Sequence, residues 1–186
     1  MKISAIIIAG GKSRRMGLDK TRLQWQGKTL LENAVALAQF FSDDIVISSN
    51  TPVATGWPVI PDLIKNAGPL GGLHATLSEI RYQKALVLPV DMPLLNREVI
   101  SYLWQHIDSK KDLQVFKTPN RLQMLVGIYD KNLLPLIEKQ IVNKDYKLRN
   151  LLQKSAYQLI DGSKFARQFI NINTPGDWEK LRQKNE

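Results

Sequence analysis

The chain of 186 residues has no cysteine, which excludes disulfides and thiolate metal sites while leaving the compartment open. It has two histidines, His74 and His106, and neither stands near an acidic cluster. Both read as ordinary helix residues, and a zinc site is not expected. Nor is there a catalytic-looking cysteine, Ser–His or His–Asp constellation to suggest a protein nucleophile. Repeats of fixed period and low-complexity stretches are absent, and no apolar run approaches the length of a membrane span. The opening MKISAIIIAGG carries one lysine and an apolar run too short for a signal-peptide core, so the chain reads as cytoplasmic, with no membrane partner.

The hydrophobic fraction of 44% and charged fraction of 23% are ordinary for a globular protein, and the length suits one domain with a sizeable core. Lys plus Arg number 26 against 17 Asp plus Glu, a net charge of +9. That excess fits nucleic acid, anionic lipid or a phosphorylated small molecule. The basic residues are spread out, with modest clusters at 12–22 and 139–154 and no interleaved aromatics to stack bases. A nucleic-acid partner is therefore not expected, and much of the charge reads as solvated surface.

Apolar runs at 3–9, 44–49, 57–60, 84–90, 113–117, 123–130 and 156–160 predict strands. The early ones are continuously apolar and rich in Ile and Val, as strands covered on both faces are. Amphipathic stretches at 29–41, 71–82, 97–107, 131–141, 146–154 and 175–184 predict helices. In the first of these Leu30, Leu31, Ala34, Leu37, Ala38 and Phe41 form one stripe at helical spacing. Strand and helix alternate, so the fold class is α/β: a three-layer, mainly parallel twisted sheet flanked by helices, with antiparallel strands from 113–130 at one edge. Ligands of such sheets bind beyond the carboxyl ends of the strands, which directs attention to loops 9–20, 48–52, 61–71 and 90–96.

The first of these loops reads AGGKSRRMGLDK and follows the apolar run SAIII. Its GKS resembles the end of a Walker A motif, but Ile6 stands where that motif needs glycine, and no helix-forming run follows Ser13. Gly10, Gly11 and Gly17 also have the wrong spacing for the dinucleotide fingerprint. A longer glycine-rich basic loop remains, in which backbone N–H groups can approach an anion and Arg14, Arg15 and Lys20 can supply charge. Lys20 is a compact point charge suited to a phosphate. Asp91, at the end of ALVLPVD, can reach a Mg²⁺ held jointly with phosphates, or can cap the helix after it. Asp62, in the loop that continues to GPLGG, reads on its own as a turn residue. Asn171 and Asn173 precede Thr174-Pro175, a helix cap followed by a first-turn proline.

IIIAGGKSRRMGLDK resembles the signature of sugar-nucleotide pyrophosphorylase-like nucleotidyltransferases, and its ending M-G-x-D-K is most similar to the molybdenum cofactor guanylyltransferase family. VIPDLIKNAGPLGGL, LPVDMPLL, NRLQMLVGIY, KLRNLL and FININTPGDWEKL resemble later landmarks of that family, in the same order, from residue 3 to residue 181. Met124, Gly127 and Asp177 depart from its pattern, at proline, alanine and a Glu-Asp pair respectively. The resemblance implies a Rossmann-like nucleotidyltransferase fold, a nucleotide-binding part over about 1–95 and an acceptor-binding part over about 96–186. It implies a transfer of GMP from GTP to molybdopterin, with Mg²⁺ as cofactor and pyrophosphate released. Molybdoenzymes or their chaperones would receive the product.

The implied catalytic residues are Lys20, Arg15 and Asp91, with Asp91 on the metal. The implied nucleotide contacts are Ile8, Ala9, Gly10, Gly11, Lys20, Asn50, Asp62, Gly71 and Asp91. Arg149, Asn171 and Asn173 fall on the acceptor side. Transfer of CMP to the same pterin, or of a nucleotide to a sugar phosphate, is the alternative within the class; physics alone does not choose the base.

Overall fold

In a computed structural model that describes residues 1–10, 20–64 and 66–183, the run Ser4–Ile8 is strand β1, buried along its whole length. A short hairpin follows, β2 (Gln24–Trp25) and β3 (Lys28–Thr29), then helix α1 (Leu30–Gln39). Thr29 caps α1 in a reciprocal box with Glu32: Glu32 N–H donates to Thr29 Oγ1 at 3.1 Å, and Thr29 N–H donates to Glu32 Oε2 at 2.7 Å. Next come β4 (Ile45–Ser48), β5 (Val59–Ile60), α2 (Pro69–Glu79), β6 (Lys84–Pro89) and α3 (Arg97–Gln105). The chain closes with β7 (Leu113–Thr118), β8 (Arg121–Asp130), α4 (Leu134–Val142), β9 (Tyr157–Asp161) and α5 (Pro175–Gln183).

Seven strands form one sheet in the order β5-β4-β1-β6-β8-β7-β9. Every neighbouring pair is parallel except those made by β8, which runs against both β6 and β7. Side chains alternate between two apolar layers. Ala5, Ile7, Leu86 and Leu88 pack with α1, α3 and α5, while Ile6, Ile8, Ala85 and Val87 pack with α2 and α4. The three-layer α/β arrangement is thus the one that the apolar runs predict.

The differences lie in the second half and in the short elements. The antiparallel strand is inside the sheet, not at its edge; the edge is β9. Residues 119–120 turn β7 straight into β8, so the two pair antiparallel, and the chain then returns through α4 to add β9 parallel to β7. Val115 pairs with Gly127 but Phe116 pairs with Gln123, so 124–126 bulge away from β7. A Cβ at Gly127 would overlap the Gln114 carbonyl, which explains glycine at this departure from the family pattern.

Residues 148–154 form a 3-10 helix, not an α-helix, beside Asp145, whose carboxylate accepts from Asn150 Nδ2 at 2.9 Å and from the Lys147 N–H. The helix predicted at 71–82 begins at Pro69 and stops at Glu79, while 131–141 opens with a 3-10 turn before α4. The run 57–60 shrinks to Val59–Ile60. The β2–β3 hairpin, turned by Gln26 at φ 53° and Gly27 at φ 77°, has no counterpart in the periodicity reading.

Candidate active site

The carboxyl ends of β1, β4 and β6 are stitched together. The N–H groups of Ala9 and Gly10 both donate to Ser48 O, at 3.0 and 2.9 Å, and Val90 N–H donates to Ile8 O at 3.1 Å. The expected site residues Ile8, Ala9 and Gly10 therefore line the point where the chain order reverses about β1, the usual ligand crevice of such sheets. Their amides are not available to phosphates as the glycine-rich loop suggested. Gly11 and Arg15, along with Arg14, lie outside the described residues.

Asp91 follows β6 by two residues, and Lys20 opens a short 3-10 turn. Lys20 Nζ stands 3.3 Å from Asp91 Oδ2 and 3.0 Å from Asn173 Oδ1. Residues 20, 91 and 173, far apart in sequence, thus meet in one polar cluster. Both charged side chains are largely covered, at 16% and 21% exposure, so their attraction is only partly screened. Asp91 does not cap α3; Asn96 does, accepting from Val99 N–H at 3.2 Å. The other carboxylate oxygen, Asp91 Oδ1, is buried without a hydrogen-bond partner among the described residues. A buried anionic oxygen with nothing to accept from suits a cation.

The segment carrying Asn173 is held from both sides. Ile172 N–H donates to Asp91 O at 2.9 Å. Asp177 Oδ2 accepts from the N–H groups of Asn173 and Thr174, and Asp177 N–H donates to Thr174 Oγ1 at 3.2 Å. These bonds, led by the Asn173 amide, hold the Asp177 carboxyl below its usual range. The Thr-Pro helix start is therefore as expected, and Asp177, a departure from the family pattern, completes it. Asn171 Oδ1 is buried and unpartnered among the described residues, two residues from the cluster.

Asn50 and Asp62 form a second centre at the ends of β4 and β5. Asn50 Nδ2 donates to Asp62 Oδ2 at 2.9 Å, and Asp62 N–H donates to Asn50 Oδ1 at 2.8 Å. Asn50 thus holds both the carboxylate and the backbone N–H of Asp62, and leaves Asp62 Oδ1 facing α2. Gly68, at φ 59° and ψ −151°, turns the chain into α2 through a backbone region that side chains disfavour. Gly71 is buried in the first turn, where a Cβ would stand 3.0 Å from Ala67 Cβ and 3.3 Å from Ile64 O. At Gly72 a Cβ would overlap Ser48 Oγ and come within 3.1 Å of Asp62 Oδ1. The glycine pair therefore admits the chain's own atoms, which seats α2 against β4 and Asp62.

Arg149 is exposed on the 3-10 helix beside α4 and makes no hydrogen bond or ion pair with Lys20, Asp91 or Asn173 among the described residues. Ser48 was missed by sequence reasoning: its carbonyl collects two amides and its hydroxyl is the atom that Gly72 accommodates. A serine ending an apolar strand just before Asn50 was the available signal. No group of three or more His, Asp or Glu able to hold a metal occurs among the described residues, so a metal here would depend on Asp91 and on a ligand's own oxygens.

The family model for the MobA-like NTP transferase domain matches residues 5–159. A protein of Clostridium perfringens strain SM101 named "Probable molybdenum cofactor guanylyltransferase" is 32% identical over 197 aligned positions, covering 100% of this chain and 99% of its own length. The molybdenum cofactor guanylyltransferase of Syntrophotalea carbinolica is 33% identical, covering 97% of this chain and 90% of itself. The crystal structure of molybdopterin-guanine dinucleotide biosynthesis protein A from Archaeoglobus fulgidus superposes with a TM-score of 0.82 at 23% identity, over 98% of both chains.

Proposed function

This chain belongs to the MobA-like NTP transferase family and is a nucleotidyltransferase, and from that premise we propose that it transfers GMP from GTP to the phosphate of molybdopterin. A terminal phosphate oxygen of the pterin bonds to the α-phosphorus of GTP as the bond to the bridging oxygen of pyrophosphate breaks. The acceptor is already anionic, so no protein nucleophile is required and the residues work by position and charge. The single observation that carries the reading is the meeting of Lys20, Asp91 and Asn173 at the carboxyl end of β6.

Lys20 supplies positive charge to the α-phosphate and the leaving pyrophosphate, and Arg15 assists from the same loop. Asp62, oriented by Asn50, accepts from the guanine or ribose, with Ile8, Ala9, Gly10, Gly11 and Gly71 shaping that side. Asn171, Asn173 and Arg149 serve the acceptor, which divides the chain into a nucleotide half over about 1–95 and an acceptor half over about 96–186. Mg²⁺ fits the donors present, because Asp91 Oδ1 is a buried hard oxygen without a partner and such ions take few protein carboxylates. When bound, it would neutralise charge on the phosphates. The reading places the work in the cytoplasm, with product passing to molybdoenzymes or their chaperones; among the described residues no helix is long and apolar enough to cross a membrane.

The test offers ATP, CTP, GTP and UTP in turn with Mg²⁺ and molybdopterin and measures pyrophosphate. Release with GTP alone is the expected result, and release with CTP alone replaces guanylyl by cytidylyl transfer. Lys20→Ala and Asp91→Ala each lower turnover by ~10²–10³-fold, the usual loss of a preorganised electrostatic partner. Near-normal turnover by either folded variant would remove these residues from the site.

A further inference from the structure

Lys20 occupies a position that its expected work on phosphates does not require. Its ammonium contacts the one carboxylate of the cluster and the Asn173 amide oxygen, while the second oxygen of that carboxylate is buried with no partner among the described residues. Asp91 is thus half neutralised by a side chain and half open to a cation. A divalent ion and an ammonium on one partly buried carboxylate repel each other: at ~4 Å and an effective dielectric near 20 the cost corresponds to about six orders of magnitude in affinity. Movement of the flexible lysine stem relieves part of that cost, at the loss of its contacts to Asp91 and Asn173.

We infer that Lys20 is the placeholder cation of the Asp91 site, which a divalent metal must displace from Asp91 Oδ2 and which the phosphates of the nucleotide draw away. This rests on the metal role given to Asp91 above. The consequence is a coupling: without nucleotide, Lys20 opposes the metal, and with nucleotide bound the same ammonium moves to phosphate and the opposition is lifted. Linkage makes the coupling reciprocal, so metal and nucleotide each favour the other's binding. Half-loaded states are disfavoured, and the carboxylate is not left as a bare buried charge before substrate arrives.

The experiment measures Mn²⁺ affinity in the absence of any nucleotide or pterin, by titration calorimetry and by the free-ion electron paramagnetic resonance signal. Wild type, Lys20→Met, Lys20→Gln and Asp91→Asn are compared, with circular dichroism confirming the fold. Lys20→Met and Lys20→Gln bind Mn²⁺ about tenfold or more tighter than wild type, although they lose turnover. A lysine acting only on phosphate leaves the nucleotide-free affinity unchanged, and one that helps to build the site weakens it; either result overturns the inference. So does failure of the Lys20 variants to bind Mn²⁺ at all.

A second measurement needs no variant to be active. In wild type with ¹³C-methylated lysines, the Lys20 resonance, assigned by its loss in Lys20→Met, shifts on adding Mg²⁺, and Asp91→Asn abolishes that shift. A resonance indifferent to Mg²⁺ in wild type refutes the exchange. Asp91→Asn with wild-type Mn²⁺ affinity instead refutes the metal role of Asp91, so the two failures are told apart.

Discussion

Gly72→Ala is the sharpest probe of how α2 is seated against β4 and Asp62. The added methyl overlaps Ser48 Oγ, lies 3.2 Å from Ser48 Cβ and 3.1 Å from Asp62 Oδ1. Rotation of the serine removes the first contact and leaves the other two, so α2 or the end of β4 must shift. Overpacking of this kind costs ~1–3 kcal/mol. Alanine in a helix regains about 1 kcal/mol over glycine, leaving a net loss of up to about 2 kcal/mol. In a chain of this size that is a fall in Tm of up to ~8 °C. The shift also pushes on the carboxylate that Asn50 holds, and one misplaced hydrogen bond to a charged group is worth ~1.5–3 kcal/mol, about tenfold or more in KM for the nucleotide. Thermal melting and KM for GTP are read together. Gly71→Ala is the comparison, because its methyl meets Ala67 Cβ and Ile64 O but approaches the Asp62 carboxyl carbon no closer than 3.7 Å. It loses stability, and its KM rises less than that of Gly72→Ala. Ser48→Ala combined with Gly72→Ala recovers part of the loss. A Gly72→Ala protein as stable as wild type, with unchanged KM, would refute the packing argument.

Asn50→Ala frees Asp62 and raises KM for GTP about tenfold with kcat little changed, by loss of a charge-assisted hydrogen bond. The exchanged pair Asn50→Asp with Asp62→Asn restores side-chain bonding without restoring KM if the carboxylate must stand at 62; recovery of KM by the exchange would place the nucleotide contact on Asn50. Asp130 is buried, which by itself raises its pKa, but the N–H of Asn132 and the bonds from Lys84 (2.7 Å) and Gln83 outweigh burial and lower it. Its folded pKa lies below the unfolded value, so its stabilisation is full above about pH 4 and is lost as pH falls through the lower folded pKa. Asp130→Asn should flatten that acid limb of stability in urea titrations between pH 2 and 5, and a limb of unchanged steepness would show that other carboxylates set it.

The parallel half of the fold was readable because buried parallel strands leave continuous apolar runs, as in Ser4–Ile8 and Lys84–Pro89. The 113–130 segment was harder: a bulge at 124–126 breaks the alternation that identifies a strand, and sheet order is decided by pairing partners that no local pattern records. The 3-10 helix at 148–154 has Leu148, Leu151 and Leu152 at a spacing that serves either helix type, so periodicity does not choose between them. Of the site, single residues were legible by chemical type and strand-end position, as with Asp91 and Lys20. Their partners were not. Nothing in VISSN says that Ser48 O would take the amides of Ala9 and Gly10, because that bond joins strands about 40 residues apart in sequence.

The reversed strand has a functional consequence. A parallel strand delivers its carboxyl end to the ligand rim, so its last residue and the loop after it are what the site can use; Asp91 and Asn50 are both of that kind. β8 runs the other way and delivers its beginning, placing Arg121 and the buried Gln123 toward the same rim, while Asp130 and its ion pair with Lys84 fall at the opposite end. The rim is completed by the segment around 171–173, which Ile172 ties to the backbone of Asp91 itself. The late segment is therefore registered against the end of β6 by a bond that needs no substrate. Catalysis by positioning requires such registration, since an acceptor held by one part of the chain must meet a nucleotide held by another within a few tenths of an ångström. Asn173, bonded to Lys20 on one side and fixed by Asp177 on the other, ties residue 20 to the late segment of the chain.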